Sequence, residues 1–450
     1  MTSSADLAER RVRRRAVEAA IWGLPIISFD AMREAFFRDA EASYGDILYW
    51  ARPADWRLQI PAPEASAHYV YFNFNLKEGP LVLDVPPADG AGAGLSGSLL
   101  DAWQAPQVDV GPQGEDQGRG GRYLLLPPQN RADVPPGHRP IPFRTYNGHA
   151  LLRAIPASSA PADAEAALAL VKKLRLQPLA QLAQPPAQRY VNMSGKMFDG
   201  MARFDHTLYI RLARMLNEEP VQARDLVAMG QLRAVGFQRG RMLDPRAVGE
   251  AVLDEAAAEA RAVLMEGAAA LPPFWPGSRW SSPSPGTPDD VAPFTFQSSD
   301  CLDVDARATA FFLGSAPPRK PVSGPFRLLC TRDVRGDRLQ GGERYRLRVP
   351  PLVPVRQFWA ATAYDAETGS FIRESPRVEL GPYQQRMEAN VDGTVDISFG
   401  PAPPAGKQGN LLNWVYTAPG RPWFTMFHFH GPGRALLDRS WRLLDLERLR

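Results

Sequence analysis

The stretch Trp423-Phe424-Thr425-Met426-Phe427-His428-Phe429-His430 decides the class of this chain. Eight residues dominated by aromatic side chains run without a break until Gly431-Pro432, which reads as one β-strand and its stop. Arg344 to Val349, Gln357 to Tyr364 and Val395 to Phe399 have the same texture, and Gly- and Asp-rich turns such as Asp392-Gly393 separate them. A string of short strands predicts two sheets sharing one core, so residues 321–450 are expected to form a jelly-roll-like β-domain.

Towards the N-terminus the texture changes three times. Residues 271–320 are dense in Pro, Ser and Gly, but Phe274, Trp275 and Trp280 predict a linker covered by the protein. Residues 159–270 carry Ala, Leu, Arg, Glu and Met at helical spacing, with Pro178, Pro185, Pro220 and Pro245 as boundaries, which predicts a helical domain. Met193, Met197 and Met201 recur every four residues, as one packed helix face would. Residues 46–158 return to strands at Tyr69–Leu76, Leu81–Val85 and Tyr123–Leu126, stopped by Pro86-Pro87 and Pro127-Pro128, and predict a sandwich-like N-terminal β-domain. Residues 1–45 predict one or two helices, interrupted at Pro25. The whole is mainly β with an α-helical insert.

Charge and composition exclude several partners. The net charge of +3 comes from 52 basic and 49 acidic residues, with no basic block of the kind a phosphate backbone requires, so nucleic acid is not expected. Arg10, Arg11, Arg13, Arg14 and Arg15 cluster just before an apolar helical stretch, and read as a solvated helix face. No window approaches the roughly 18 apolar residues of a membrane span. The apolar stretch after the arginines is short and holds Glu18, which argues against a secretory signal and for a cytoplasmic protein. Cys301 and Cys330, the two cysteines, read as buried thiols, with one bridge between them as the alternative.

Common catalytic frames are missing. Gly90 to Gly94 alternates Gly and Ala, but neither a Lys nor a strand-loop-helix frame accompanies it, so no nucleotide cofactor is expected. Leu95-Ser-Gly-Ser-Leu99 lacks the glycines of a nucleophile elbow, and neither His-Glu-x-x-His nor Cys-x-x-Cys occurs.

Three groups of strings do stand out. They are Asp101-Ala-Trp-Gln104 with Asp109-Val-Gly111 and Gly120 to Pro128; Asn217-Glu-Glu-Pro220 with Arg224-Asp225; and Gln357-Phe-Trp359, Tyr364-Asp365, Asn390-Val-Asp-Gly393, Asn413-Trp414, Gly431-Pro432 and Asp438-Arg-Ser-Trp441. In this order, over about residues 16–448, the chain resembles the paired bacterial families called domain of unknown function 1254 (N-terminal) and domain of unknown function 1214 (C-terminal). The resemblance implies a β-sandwich-like domain, an inserted helical domain and a jelly-roll-like domain. It assigns no reaction and no catalytic residue. Members often carry secretion signals, which sets the family against the cytoplasmic reading.

The chain departs from the family pattern at two places. Before Tyr69 it has Glu64-Ala-Ser-Ala67-His68 instead of an Asn/Asp/Thr-rich turn. At the closing strand it has Phe427-His-Phe-His-Gly-Pro432 where relatives read Phe-Arg-Phe-Tyr-Gly-Pro. An imidazole offers one donor or one lone pair where a guanidinium offers a fork of donors, so an Arg-dependent anion contact there would be altered.

Two constellations are candidates for chemistry. His428 and His430, two apart on a strand, point to one face and could act as a catalytic pair or ligate a divalent metal, although a third ligand is not evident among His68, His138, His149 and His206. Asp101, as general acid or base beside Trp103 and Gln104, with Tyr69, Tyr71 and Trp414 as ligand-binding walls, suits a small-molecule pocket. The plain alternative is that these aromatics are core and that Asp101 caps a turn. Two functions follow: an enzyme acting on a small organic or carbohydrate-like molecule by acid–base chemistry in a cleft between the β-domains and the helical insert, or a noncatalytic module binding such a molecule. Self-assembly into a homo-oligomer through the C-terminal β-face is the third reading.

Overall fold

The computed structural model describes residues 3–449 apart from 91, 131–132, 158–159, 284–295, 299, 315–325, 383–386 and 405–411. It opens with α1 (Ser4–Arg38), capped by the Ser3 side chain, and this single helix runs through Pro25. Proline there removes one helical hydrogen bond and crowds the preceding turn. The side chains of Gln104 and Arg307 bond the carbonyls of Pro25 and Trp22, so tertiary partners hold a helix that local propensity would break.

The N-terminal β region comprises β1 (Ile47–Tyr49), β2 (Leu58–Gln59), β3 (His68–Asn75), β4 (Leu81–Val85), β5 (Gly94–Asp101), β6 (Pro106–Val110), β7 (Gly121–Leu126), β8 (His138–Pro142) and β9 (Asn147–Ile155). The next elements join it: α2 (Pro161–Val171), β10 (Arg175–Pro178), β11 (Tyr190–Asn192) and β12 (Phe198–Asp199). One sheet has the order β11-β1-β3-β9-β5-β6, the facing one β10-β4-β7-β8, and β12 pairs β2. Between the two larger sheets lies a core that includes Val70, Phe72, Phe74, Leu83, Tyr123 and Leu152, closed by Ala167 and Leu170 of α2. Strand alternation sends Tyr69 and Tyr71 to the other face.

The expected helix face Met193-Met197-Met201 is not one. Residues 190–201 hold short strands β11 and β12 and the turns beside them, because pairing with β1 and β2 outweighs the helical spacing. Helices resume with α3 (Thr207–Glu218), α4 (Leu226–Leu232), α5 (Pro245–Val248), α6 (Glu250–Ala269) and, after the linker, α7 (Val304–Phe312). Of these, α3, α4, α6 and α7 pack on α1 and α5 packs on α6, and the group shares a core with Tyr69 and Tyr71.

Phe274, Trp275 and Trp280 are buried, so these aromatics anchor the linker, while Pro272, Pro276, Arg279 and Gln297 in it are exposed; residues 284–295, 299 and 315–320 of it lie outside the described residues. Cys330 is buried but Cys301 is exposed, and both thiols are free, which corrects the expectation that both are buried. The C-terminal domain contains β13 (Phe326–Cys330), β14 (Tyr345–Val349), β15 (Trp359–Asp365), β16 (Glu379–Leu380), β17 (Val395–Gly400), β18 (Trp414–Tyr416), β19 (Trp423–Phe429), α8 (Arg434–Leu437) and β20 (Glu447–Arg448). Its sheets have the orders β13-β19-β15-β16 and β18-β17-β14-β20 and enclose a core including Leu347, Ile397, Phe427 and Phe429.

Strand β19 explains how the two ends of the chain meet. Its residues are buried throughout, yet alternately into different cores: Trp423, Phe427 and Phe429 into the C-terminal sandwich, Phe424 and Met426 into the core shared with α1 and β3. His428 lies on this second face, which meets the N-terminal region along a seam. Among the described residues no helix is long and apolar enough to cross a membrane.

Candidate functional site

The seam is built around Glu64, whose side chain is fully buried. The loop that carries it, Pro61-Ala62-Pro63-Glu64, is fixed from both sides. Ala62 has a left-handed φ of 36° and donates its N–H to the Gly369 carbonyl at 2.8 Å, the Pro63 carbonyl accepts from the Tyr364 hydroxyl at 2.8 Å, and the Glu64 N–H donates to the Tyr69 hydroxyl at 2.9 Å. The Ala65 N–H donates to Glu379 Oε2 at 3.0 Å. A left-handed non-glycine residue costs on the order of 1–3 kcal/mol and persists where its surroundings over-determine it, as here.

Cross-strand register brings charged side chains to the same place. Arg153 on β9 lies opposite Tyr69 on β3, and Arg327 on β13 lies opposite His428 on β19, so each sheet presents one arginine to Glu64. Nη2 of Arg153 donates to Glu64 Oε1 at 2.9 Å and Nη2 of Arg327 donates to the same oxygen at 2.5 Å. Although burial works against its charge, the two guanidinium groups hold the Glu64 carboxyl well below the usual range, so it is ionised.

The histidines complete the cluster. His428 Nδ1 is 4.0 Å from Glu64 Oε1 and His430 Nε2 is 3.7 Å from Oε2, both beyond hydrogen-bond length. Their rings lie 6.5 Å apart at 26°, and His430 stacks on Phe358 at 4.0 Å. Burial, reinforced by the arginines against the pull of Glu64, lowers His428 to about 3 and His430 to about 4, so both are neutral near pH 7. The tautomer of His428 follows from Tyr364. The tyrosine gives its one proton to the Pro63 carbonyl, so its oxygen accepts from His428 Nε2–H at 3.1 Å, leaving Nδ1 with a bare lone pair. Among the described residues Glu64 Oε2, His428 Nδ1 and His430 Nε2 are buried with no hydrogen-bond partner, as are the Nε atoms of Arg153 and Arg327. The side chains of Arg153, Arg327 and His430 are 22%, 13% and 12% exposed, so the cluster reaches solvent along this edge.

A divalent metal finds little here. Among the described residues no group of three or more His, Cys, Asp or Glu is arranged to hold a metal ion, and two guanidinium groups on the one carboxylate oppose a cation.

The structure thus brings together Tyr69, His428 and His430, but not the other candidates. Asp101 ends β5, accepts from the Trp103 and Ala105 N–H groups at 2.9 and 3.0 Å, and burial pushes its carboxyl up to about 6. That is the turn-capping arrangement. Trp103 packs on Trp22 and under Arg307, and Gln104 holds the α1 carbonyl of Pro25. Tyr71 donates to Asn73 Oδ1 beside His149, and Trp414 donates Nε1–H to the Gly400 carbonyl in the outer C-terminal sheet. Glu64, Arg153 and Arg327 were missed. The legible signal was a Glu inside Ala-Pro-Glu-Ala-Ser-Ala, where small residues flank a charge.

Fold and seam define a protein of two β-sheet domains joined by helices, with a buried polar cluster where the domains meet. Residues 45–178 match the family described as protein of unknown function DUF1254 and residues 326–434 the family described as protein of unknown function DUF1214, and the chain belongs to the bacterial two-domain family that combines them. Among solved structures it is similar to the VPA0106 protein from Vibrio parahaemolyticus, with 15% identity over 98% of this chain and 100% of that one and a TM-score of 0.54, a likeness of fold. It also matches an uncharacterised protein from Burkholderia cenocepacia at 12% identity over 98% of this chain and 95% of that one, with a TM-score of 0.40. No curated protein matches the chain.

Proposed function

We propose that the seam around Glu64 binds a small polar organic molecule and carries out acid–base chemistry on it. The observation that supports this reading is the convergence of three buried, unpartnered polar atoms, Glu64 Oε2, His428 Nδ1 and His430 Nε2. Unpaired buried polar groups are costly in a finished core, and are natural where a ligand supplies the missing partners. His428 has the base-and-orienter arrangement of a proton acceptor, its tautomer set by Tyr364 and its lone pair beside the carboxylate. Arg153 and Arg327 would steady negative charge that develops on the bound molecule. His430, nearest the solvent edge, would pass the proton outward.

Incubating the protein with a metabolite extract tests this. Wild type should convert at least one compound, His430→Asn should do so about 10²–10⁴-fold more slowly, and Asp101→Asn should be unaffected. Conversion that survives in His430→Asn but stops in Asp101→Asn would move the chemistry to Asp101. The strongly lowered histidine pKa values favour a second reading, because such imidazoles accept hydrogen bonds well and protons poorly. A noncatalytic binding protein would be stabilised by a compound that emerges unchanged.

A further inference from the structure

We propose that the ligand of this seam is a small monocarboxylate, held by the Nε–H groups of Arg153 and Arg327 and entering past His430. The inference rests on the reading of the seam as a ligand site and adds the class of molecule. Its basis is an imbalance of charge. Two guanidinium groups share one carboxylate oxygen, and the histidines beside them are neutral. The other titratable groups facing the cluster do not restore the balance. Tyr69 on β3 and Tyr364 on β15 are kept neutral by burial, and Glu379 on β16, touched by Thr362 and the Ala65 amide, is pushed by burial up to about 7. Glu379 is only partly ionised near neutrality, so part of a positive charge is left over in a nearly closed site, where an uncompensated charge is costly.

The unused donors show what would neutralise it. Nη2 of each arginine is spent on Glu64 and Nη1 of Arg327 on the Gly314 carbonyl at 3.0 Å, while Nε of each is buried and unpartnered. The two Nε–H groups can donate to the oxygens of one carboxylate, whose single negative charge covers the excess. A cation would be repelled by the arginines, and a neutral polyol would leave the charge standing. The flat ring of His430, stacked on Phe358 at the solvent edge, adds a donor or acceptor for a hydroxyl or carbonyl beside the carboxylate.

Thermal unfolding at pH 7 in sodium acetate or sodium lactate, against sodium chloride of equal ionic strength and against glycerol, tests the proposal. Either carboxylate should raise Tm by several degrees, saturably, with no effect of glycerol, and the shift should vanish in Arg327→Gln. Because that variant could fail to fold, nitrogen-15 spectra of the wild-type histidines provide a second readout: lactate should move the His428 and His430 signals and leave those of half-buried His138 on β8 in place. No carboxylate shift beyond chloride, an equal shift in folded Arg327→Gln, or movement of His138 alone would overturn it. Stabilisation by glycerol in place of the carboxylates would remove the carboxylate but keep a ligand site. Carboxylate binding with no conversion of any compound would defeat the enzymatic reading alone.

Discussion

Two ionic clusters of this protein differ in one respect. Between α1 and α3, Arg33, Arg38, Arg211 and Arg214 meet Asp30, Glu34, Asp39 and Glu218, four cations for four anions. Arg33 bonds Asp30 and both oxygens of Glu218, Asn147 bridges Glu218 to Glu219, and Arg214 Nε is the unpartnered side-chain atom among these arginines and acids. At the seam, two arginines meet one carboxylate and five buried nitrogen or oxygen atoms go unpartnered, namely Glu64 Oε2, His428 Nδ1, His430 Nε2 and the two arginine Nε atoms. A charge-balanced network, with Arg214 Nε as its buried unpartnered atom, fixes helices in place. An unbalanced one is poised to receive something.

The largest effect expected is in the charge-balanced cluster. Arg33→Met takes the guanidinium from Glu218, which has no other among the described residues, while Asp30 keeps Arg211 and Arg214, and should cost about 3–5 kcal/mol in urea unfolding, with no recovery on adding a carboxylate. Arg327→Gln should cost less, about 1.5–3 kcal/mol, because Glu64 keeps Arg153. If the two losses came out equal, the contrast between the clusters would collapse.

His149 separates burial from function. It lies between Phe29 and Tyr71 with both ring nitrogens unpartnered among the described residues, and burial lowers it to about 3. Because its folded pKa is depressed, the unfolded chain takes the proton first, so its contribution is intact above about pH 6.5 and is lost as pH falls towards 3. At about 1.4 kcal/mol per pH unit, wild type should lose about 2 kcal/mol more than His149→Phe between pH 6.5 and 5. Matching pH profiles would show that His149 is protonated in the folded protein. The smallest effect belongs to Asp101→Asn, which keeps a side-chain oxygen for the Trp103 and Ala105 amides and should change stability by less than about 1 kcal/mol at pH 7.

Strand positions were legible because their signal is local. Leu81–Val85 is a strand over those residues, and Tyr69–Leu76 is shifted by one. The same-face placement of His428 with His430, and of Tyr69 with Tyr71, followed from the period of two. The misreading at Met193, Met197 and Met201, and the continuity of α1 through Pro25, had distant causes, in β1 and β2 and in Gln104 and Arg307. Glu64 was illegible as a centre for the same reason. Its partners Arg153 and Arg327 lie 89 and 263 residues away in sequence, and the small residues around Glu64 mark a charge without saying which arginines will meet it.

The most direct measurement is a crystal structure of the wild-type protein grown with lactate. The account predicts density for the carboxylate against Nε of Arg153 and Arg327, within hydrogen-bond reach of His430. Density at Asp101 and Trp103, or in the groove between α1 and α4 lined by Arg11, Arg14, Arg15 and Gln231, with Glu64 and its neighbours unchanged, would contradict it.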